Sequence, residues 1–137
     1  MASAFKLNLF TPKGVVIKDL ECNDIVVPTV RGEINILPDH THILTELSTG
    51  LMTVKTPMGL RHFSVTAGLC RVLKGTVTIL SFTSEKAEDI DMERAKSAKA
   101  KASDRLSGKE SLSDVDIIKF RRKLERAELR LRLANLK

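Results

Sequence analysis

Three histidines, two cysteines and a run of basic residues near the C-terminus are the side chains of this 137-residue chain whose types could do chemistry. His40 and His42 form a His-x-His pair which, joined by His62 or by Cys22 or Cys70, would offer the nitrogen and sulfur ligands that hold zinc. No zinc-type spacing accompanies the pair, so loop or interface histidines are expected and no metal site. The chain also has no Walker-type phosphate loop and no nucleophile elbow, which leaves an enzyme reading with nothing to stand on.

The basic residues suggest binding instead. From Ile117 to Lys137 there are 8 basic and 2 acidic residues, an excess equal to the net charge of +6 of the whole chain. Such a surface needs an acidic partner, a nucleotide or water. Arg121-Arg122-Lys123 could track the phosphates of a nucleic acid. Against that partner stands the aromatic content: there is no Trp or Tyr, and of the five Phe four fall in the strand-rich part and are expected in its core, which leaves no stacking platform. A solvated helix face is the alternative reading of the same run.

The elements that must position these residues fall into two kinds. Up to about Phe82 the chain reads in short apolar runs broken by Gly, Pro, Asn and Asp: Leu7 and Leu9 alternate with Lys6 and Asn8, Val15 and Ile17 follow Pro12-Lys13-Gly14, and Lys74-Gly75 separates two further runs. Such frequent turns predict strands packed as two antiparallel sheets. From Glu85 onward there is no proline and one glycine, and Ala, Lys, Glu, Arg and Leu dominate. A helix is predicted over about Asp91 to Leu106, with Asp91 at its start and Ala95, Ala98 and Ala102 on one face, ending at Ser107-Gly108. A second begins at Ser113-Asp114-Val115-Asp116 and carries Ile117, Phe120, Leu124, Ala127, Leu131 and Ala134 as one stripe. The fold class expected is therefore α+β, mainly β: an antiparallel β-sandwich over residues 1–86, followed by an antiparallel two-helix hairpin over 87–137. The hairpin seam is thin, because an alanine methyl contributes only about 0.8 kcal/mol on burial against roughly 1.5 to 3 for a leucine. No run of about 18 apolar residues is present to span a bilayer, so membrane association is expected only through a partner, in a reduced, non-secreted location.

Several stretches, in this order and spanning nearly the whole chain, resemble the ATP synthase epsilon family. Gly32-Glu33-Ile34-Asn35-Ile36-Leu37-Pro38-Asp39-His40 is similar to that family's G-E-x-G-I-x-P-G-H segment, Thr66-Ala67-Gly68 to its S-G-G turn, and Ile90-Asp91-Met92-Glu93-Arg94-Ala95 to the I/L-D-x-x-R-A pattern that opens its C-terminal hairpin. The chain departs from the pattern at Asn35, Asp39 and Ala67, where glycines are usual, at His42 in place of a proline and at Arg71 in place of a glutamate.

The resemblance implies a non-catalytic central-stalk subunit of a proton-translocating F-type ATP synthase. Its sandwich would bind the gamma subunit and seat on the ring of c subunits, with Arg31, Glu33 and His40 facing that ring. It implies a peripheral location on the cytoplasmic face of a bacterial inner membrane. The hairpin would fold against the sandwich or extend into the catalytic alpha and beta subunits and restrain ATP hydrolysis, with Arg121, Arg122 and Lys123 meeting an acidic segment. No cofactor is implied beyond ATP as a regulatory ligand. The positions matching the ATP-binding residues of some family members are Glu85, Ile90, Asp91, Arg94, Ala95, Arg126 and Arg130. The last two are four apart on one helix face, where two guanidinium forks can share a triphosphate.

Overall fold

The computed structural model describes residues 4–38, 42–108 and 112–136. Nine strands come first: β1 (Phe5–Thr11), β2 (Gly14–Cys22), β3 (Asp24–Thr29), β4 (Gly32–Ile36), β5 (Ile43–Leu47), β6 (Gly50–Thr56), β7 (Gly59–Val65), β8 (Gly68–Leu73) and β9 (Thr76–Ser81). A 3-10 turn at Ala87–Asp89 and the helices α1 (Met92–Ser107) and α2 (Asp114–Ala134) follow. The chain divides into two compact units, residues 1–86 and 87–137.

In the first unit the alternation seen along the sequence becomes an inside and an outside. Phe5, Leu7 and Leu9 of β1 are buried while Lys6 is exposed, and Met52 and Val54 of β6 are buried while Lys55 is exposed. The strands pair as β2-β1-β9-β8-β5 and, through a single Thr29↔Leu47 pairing, continue as β3-β6-β7 with β4 on the other edge of β3. One core draws on both runs of strands: Leu7, Leu9, Cys22, Cys70, Val77 and Ile79 from the first, Ile25, Val27, Ile36, Met52, Val54 and Phe63 from the second. That is a sandwich folded from one continuous sheet. The expectation of wholly antiparallel pairing needs one correction, since β1 lies parallel to β9. The first strand is held between its hairpin partner and the last strand of the unit, a non-local pairing that alternation along the chain does not encode.

Three hairpins share one device. Thr11, Thr29 and Thr56 each donate their hydroxyl to the carbonyl of the glycine three residues on, at 3.4, 2.6 and 2.8 Å, and accept the backbone N–H two residues on, from Lys13, Arg31 and Met58, at 3.3, 3.2 and 3.2 Å. The closing glycines Gly14, Gly32 and Gly59 have φ of +135°, +107° and +119°, values that side-chain-bearing residues rarely adopt. The Lys74-Gly75 turn has both residues at positive φ, the twist that suits a two-residue hairpin. Asn35 lies within β4 at no unusual φ, so that departure from the family pattern is absorbed by the strand; Asp39 lies outside the described residues.

Two aromatics depart from the expected core: Phe10 is half-buried outside the core cluster, and Phe82 is exposed. Phe82 is 71% exposed, because the inward positions of this stretch are taken by Val77, Ile79 and Ser81, and the alternation turns Leu80 and Phe82 outward.

The second unit is the predicted helical hairpin. The Asp91 carboxylate accepts the Arg94 N–H at 3.1 Å and caps α1, and Ser113 Oγ accepts the Asp116 N–H at 3.2 Å and caps α2. Ala95 and Ala102 of α1 and Ala127 and Ala134 of α2 are buried. The rest of the predicted stripe, Ile117, Phe120, Leu124 and Leu131, is only half-buried. Leu129 and Leu133, on the opposite side of α2, are buried instead, and α2 also meets the Ala87–Asp89 turn. The C-terminal half of α2 thus buries more than the one face that three-and-four spacing picks out.

Candidate functional site

At 100° per residue, Lys119, Lys123, Arg126 and Arg130 fall within one narrow stripe of α2. Arg121 falls on another, with Glu125, Glu128 and Arg132, where two basic and two acidic residues balance. Arg122 falls on a third, with Val115, Ile118, Leu129 and Leu133. Consecutive residues of a helix cannot share a face, so Arg121-Arg122-Lys123, compact in the sequence, is dispersed over three.

The cationic stripe borders a cleft of about 1080 Å³ between α1 and α2, which Lys101 and Arg105 enter from α1 and Lys123, Arg126 and Arg130 from α2, with Asp104 the one carboxylate on its wall among the described residues. Ala98, Ala102 and Ala127 also line it, and their small side chains leave the space open. Phe120 projects into the same cleft. The Arg105 guanidinium and the Lys119 and Lys123 ammonium groups stand 5.6, 5.9 and 5.6 Å from the centroid of its ring, within the range at which the electron-rich face attracts a cation. A cleft so lined can hold an anion.

Of the seven positions matching the family's ATP-binding residues, Arg126 and Arg130 line this cleft together. Asp91 is exposed with its carboxylate engaged as the α1 cap, and Arg94 is exposed. Ile90 and Ala95 are buried. Glu85 belongs to the first unit, where its backbone N–H donates to Ser64 Oγ at 2.9 Å and its carbonyl accepts the Ser64 N–H at 2.9 Å. Lys101, Arg105 and Lys119 carried no site role in the sequence, and Phe120 stood there as part of the apolar stripe; the signal available for Lys119 was the spacing 119, 123, 126, 130, which repeats by four, three and four.

The first unit carries an apolar band. Across the outer face of β5, β8, β9, β1 and β2, in that order in the sheet, Glu46, Leu69, Leu80, Phe10 and Val15 stand directly opposite one another in register. Leu69, Leu80 and Val15 are 43%, 47% and 59% exposed, and Phe82 continues the band beyond Leu80. Side chains directly opposite on one face touch, so these residues form one surface rather than scattered exposures. Arg31 and Glu33 stand exposed at the β3–β4 hairpin, whereas Leu37 follows the far end of β4; His40 lies outside the described residues. His62 is engaged by Thr53, whose Oγ1 lies 3.0 Å from its Nδ1, and among the described residues no group of three or more His, Cys, Asp and Glu is placed to hold a metal.

Two family descriptions match the chain in succession: ATP synthase, Delta/Epsilon chain, beta-sandwich domain over residues 4–87, and ATP synthase, Delta/Epsilon chain, long alpha-helix domain over residues 88–135. The ATP synthase epsilon chain of Staphylococcus aureus strain JH9 is 37% identical over 135 residues, covering 98% of this chain and 99% of its own length, and that of strain N315 matches equally. Among solved structures, the fold is similar to a chain of the Euglena gracilis mitochondrial ATP synthase in its OSCP/F1/c-ring assembly, with a TM-score of 0.81, 22% identity and coverage of 100% of this chain and 84% of that one. A chain in the central stalk and c-ring of the Tetrahymena thermophila mitochondrial ATP synthase is similar at a TM-score of 0.61 and 14% identity, covering 97% of this chain and 98% of that one.

Proposed function

The chain belongs to the delta/epsilon family of ATP synthase subunits, as an epsilon-type chain that is not itself catalytic, and from this premise we propose that it is a rotor part whose two units do different work. The sandwich docks on the gamma subunit through the apolar band and seats on the c ring through Arg31, Glu33 and His40. The hairpin restrains ATP hydrolysis by the alpha and beta subunits when its cationic face meets an acidic segment of them, and ATP bound to the hairpin opposes that state. No described helix is long and apolar enough to cross a membrane. The proton-translocating complex holds the chain at the cytoplasmic face of a bacterial inner membrane.

The observation that carries this reading is the apolar band. Single exposed apolar residues are ordinary, but a row of them aligned in register across four strands is the surface a protein partner covers. The test is a pull-down of the tagged chain from solubilised membranes. Gamma and the catalytic subunits are expected to come down with it, and Leu80→Lys to release them. Capture of nucleic acid that rising salt steeply removes, with no gamma subunit, would reject the reading.

A further inference from the structure

Beside the apolar band, on the same outer face, stands the exposed guanidinium of Arg71, framed by leucines. Leu69 and Leu73 lie two residues to either side of it on β8 and share its face, while Cys70 and Val72 between them are buried. Directly opposite Arg71 are Leu44 on β5, itself 71% exposed, and Thr78 on β9, with Leu80 of the band two residues beyond. Among the described residues no ion pair holds Arg71, although Glu46 is only one diagonal step away across the β5–β8 pairing. We infer that Arg71 is the specificity-determining contact of this docking face, and that the partner surface covering the band presents a carboxylate to it. The inference rests on the proposed docking of the sandwich to gamma, and it names what that surface of gamma must carry.

An exposed arginine in water needs no partner, but the surroundings of this one change when the band is covered. Side chains opposite one another, or two apart on one strand face, are neighbours, so a partner that closes over Leu69 and Leu80 also closes over Arg71. Leu44 stands beside it and Leu73 beyond it, so its way back to water crosses apolar surface. A charge stripped of water is strongly unfavourable unless an opposite charge meets it in good geometry. The planar fork of a guanidinium takes a carboxylate through two parallel hydrogen bonds, and arginine set among apolar contacts that exclude water is a recurrent hot spot of protein interfaces. The band supplies area and an attraction without direction. Arg71 supplies the direction: it fixes how the partner is turned and rejects a surface with a cation in that place.

Titration of the full-length chain onto the assembled alpha, beta and gamma subunits of its own synthase tests this, with Leu80→Lys as the measure of losing the band. Arg71→Leu should weaken binding by about thirtyfold and Arg71→Glu by more, because each leaves the partner carboxylate buried without its cation. Arg71→Lys keeps the charge but not the fork and should weaken binding by a few-fold. Lys55→Leu removes the same unit of charge from β6 and should change affinity by less than about twofold. Among single replacements of gamma's surface carboxylates by lysine, one should restore binding of the Arg71→Glu chain while weakening that of the unaltered one. All these side chains of the sandwich are exposed, so thermal melts of the variants should match the unaltered chain. The sign of the Arg71→Leu effect decides. If Arg71 meets only water or apolar surface, leucine removes a desolvation cost and binding is unchanged or tighter; with Leu80→Lys still disruptive, that result overturns the inference and leaves the docking of gamma intact. If Leu80→Lys binds as well as the unaltered chain, the band is not the docking face, and the inference falls with that part of the proposed function.

Discussion

The thiols of Cys22 and Cys70 sit in the sandwich core with no exposed surface. Burial, and then the nearby negative charge of Glu21, push Cys22 from 9.0 up to about 12, and burial pushes Cys70 from 9.0 up to about 11. A thiol whose folded pKa lies above its unfolded value favours the folded state fully below the unfolded value, and that contribution is lost as pH rises from there through the folded pKa. Melting temperature should therefore fall between about pH 9 and 12 more steeply in this chain than in a Cys22→Ala, Cys70→Ala variant. Thermal melts across that window check it, and parallel slopes would refute it. The thiols should also resist alkylation at neutral pH until the chain is unfolded. Gly68 carries a second expectation. A Cβ there would collide with the Leu80 carbonyl oxygen across the β8–β9 pairing, and backbone on both sides leaves little room to give. The preceding Thr66 adds to the constraint, since its N–H donates to Ser81 Oγ at 2.9 Å and its hydroxyl accepts the Thr83 N–H at 2.8 Å. Gly68→Ala should destabilise by about 1 to 3 kcal/mol, measured by denaturant unfolding, whereas Ala67→Gly should cost far less.

At the scale of the element, α2 carries three faces of different composition, and only one concentrates positive charge. Reversing Lys119, Lys123 and Arg126 should raise ATP hydrolysis by the assembled enzyme more than reversing Arg121 and Arg132, whose face already balances basic with acidic residues. Steady-state hydrolysis by the two reconstituted variants decides it, and equal rates would place the inhibitory contact elsewhere. The capping residues Asp91 and Ser113 were legible because a capping side chain acts within three residues of itself. The cleft was not, because it depends on which residues of α1 come opposite which residues of α2. Phe120 illustrates the difference. Its place in the three-and-four stripe marked it as seam, yet it is half-buried in a cleft whose α1 wall consists of Ala98, Ala102, Asp104 and the long cations Lys101 and Arg105 rather than bulky apolar side chains.

For the whole molecule, the two units differ in what stabilises them. Residues 1–86 enclose a core of leucine, isoleucine, valine, methionine and phenylalanine side chains, whereas the buried positions of the second unit include five alanines. Residues 1–86 produced alone should therefore fold cooperatively and still join gamma, since the apolar band lies entirely within them. Size-exclusion co-elution with gamma and a thermal melt of the fragment test both halves of the statement; an unfolded fragment would mean that the second unit completes the first.

The amino-acid sequence by itself determined the order of strands then helices, the turns and the helix caps, because periodicity, glycine at positive φ and capping hydroxyls and carboxylates all act over a few neighbouring residues. It also determined the family, through short motifs that kept their order along the chain. Only the tertiary structure decided that β1 runs parallel to β9, that Leu69, Leu80, Phe10 and Val15 align into one outer surface, and that Lys101 and Arg105 share one cleft with Phe120, Lys123, Arg126 and Arg130. Each of these joins residues from separate elements, and what brings such residues together is strand register and helix facing, which are set by packing across the unit rather than by any local run of the chain.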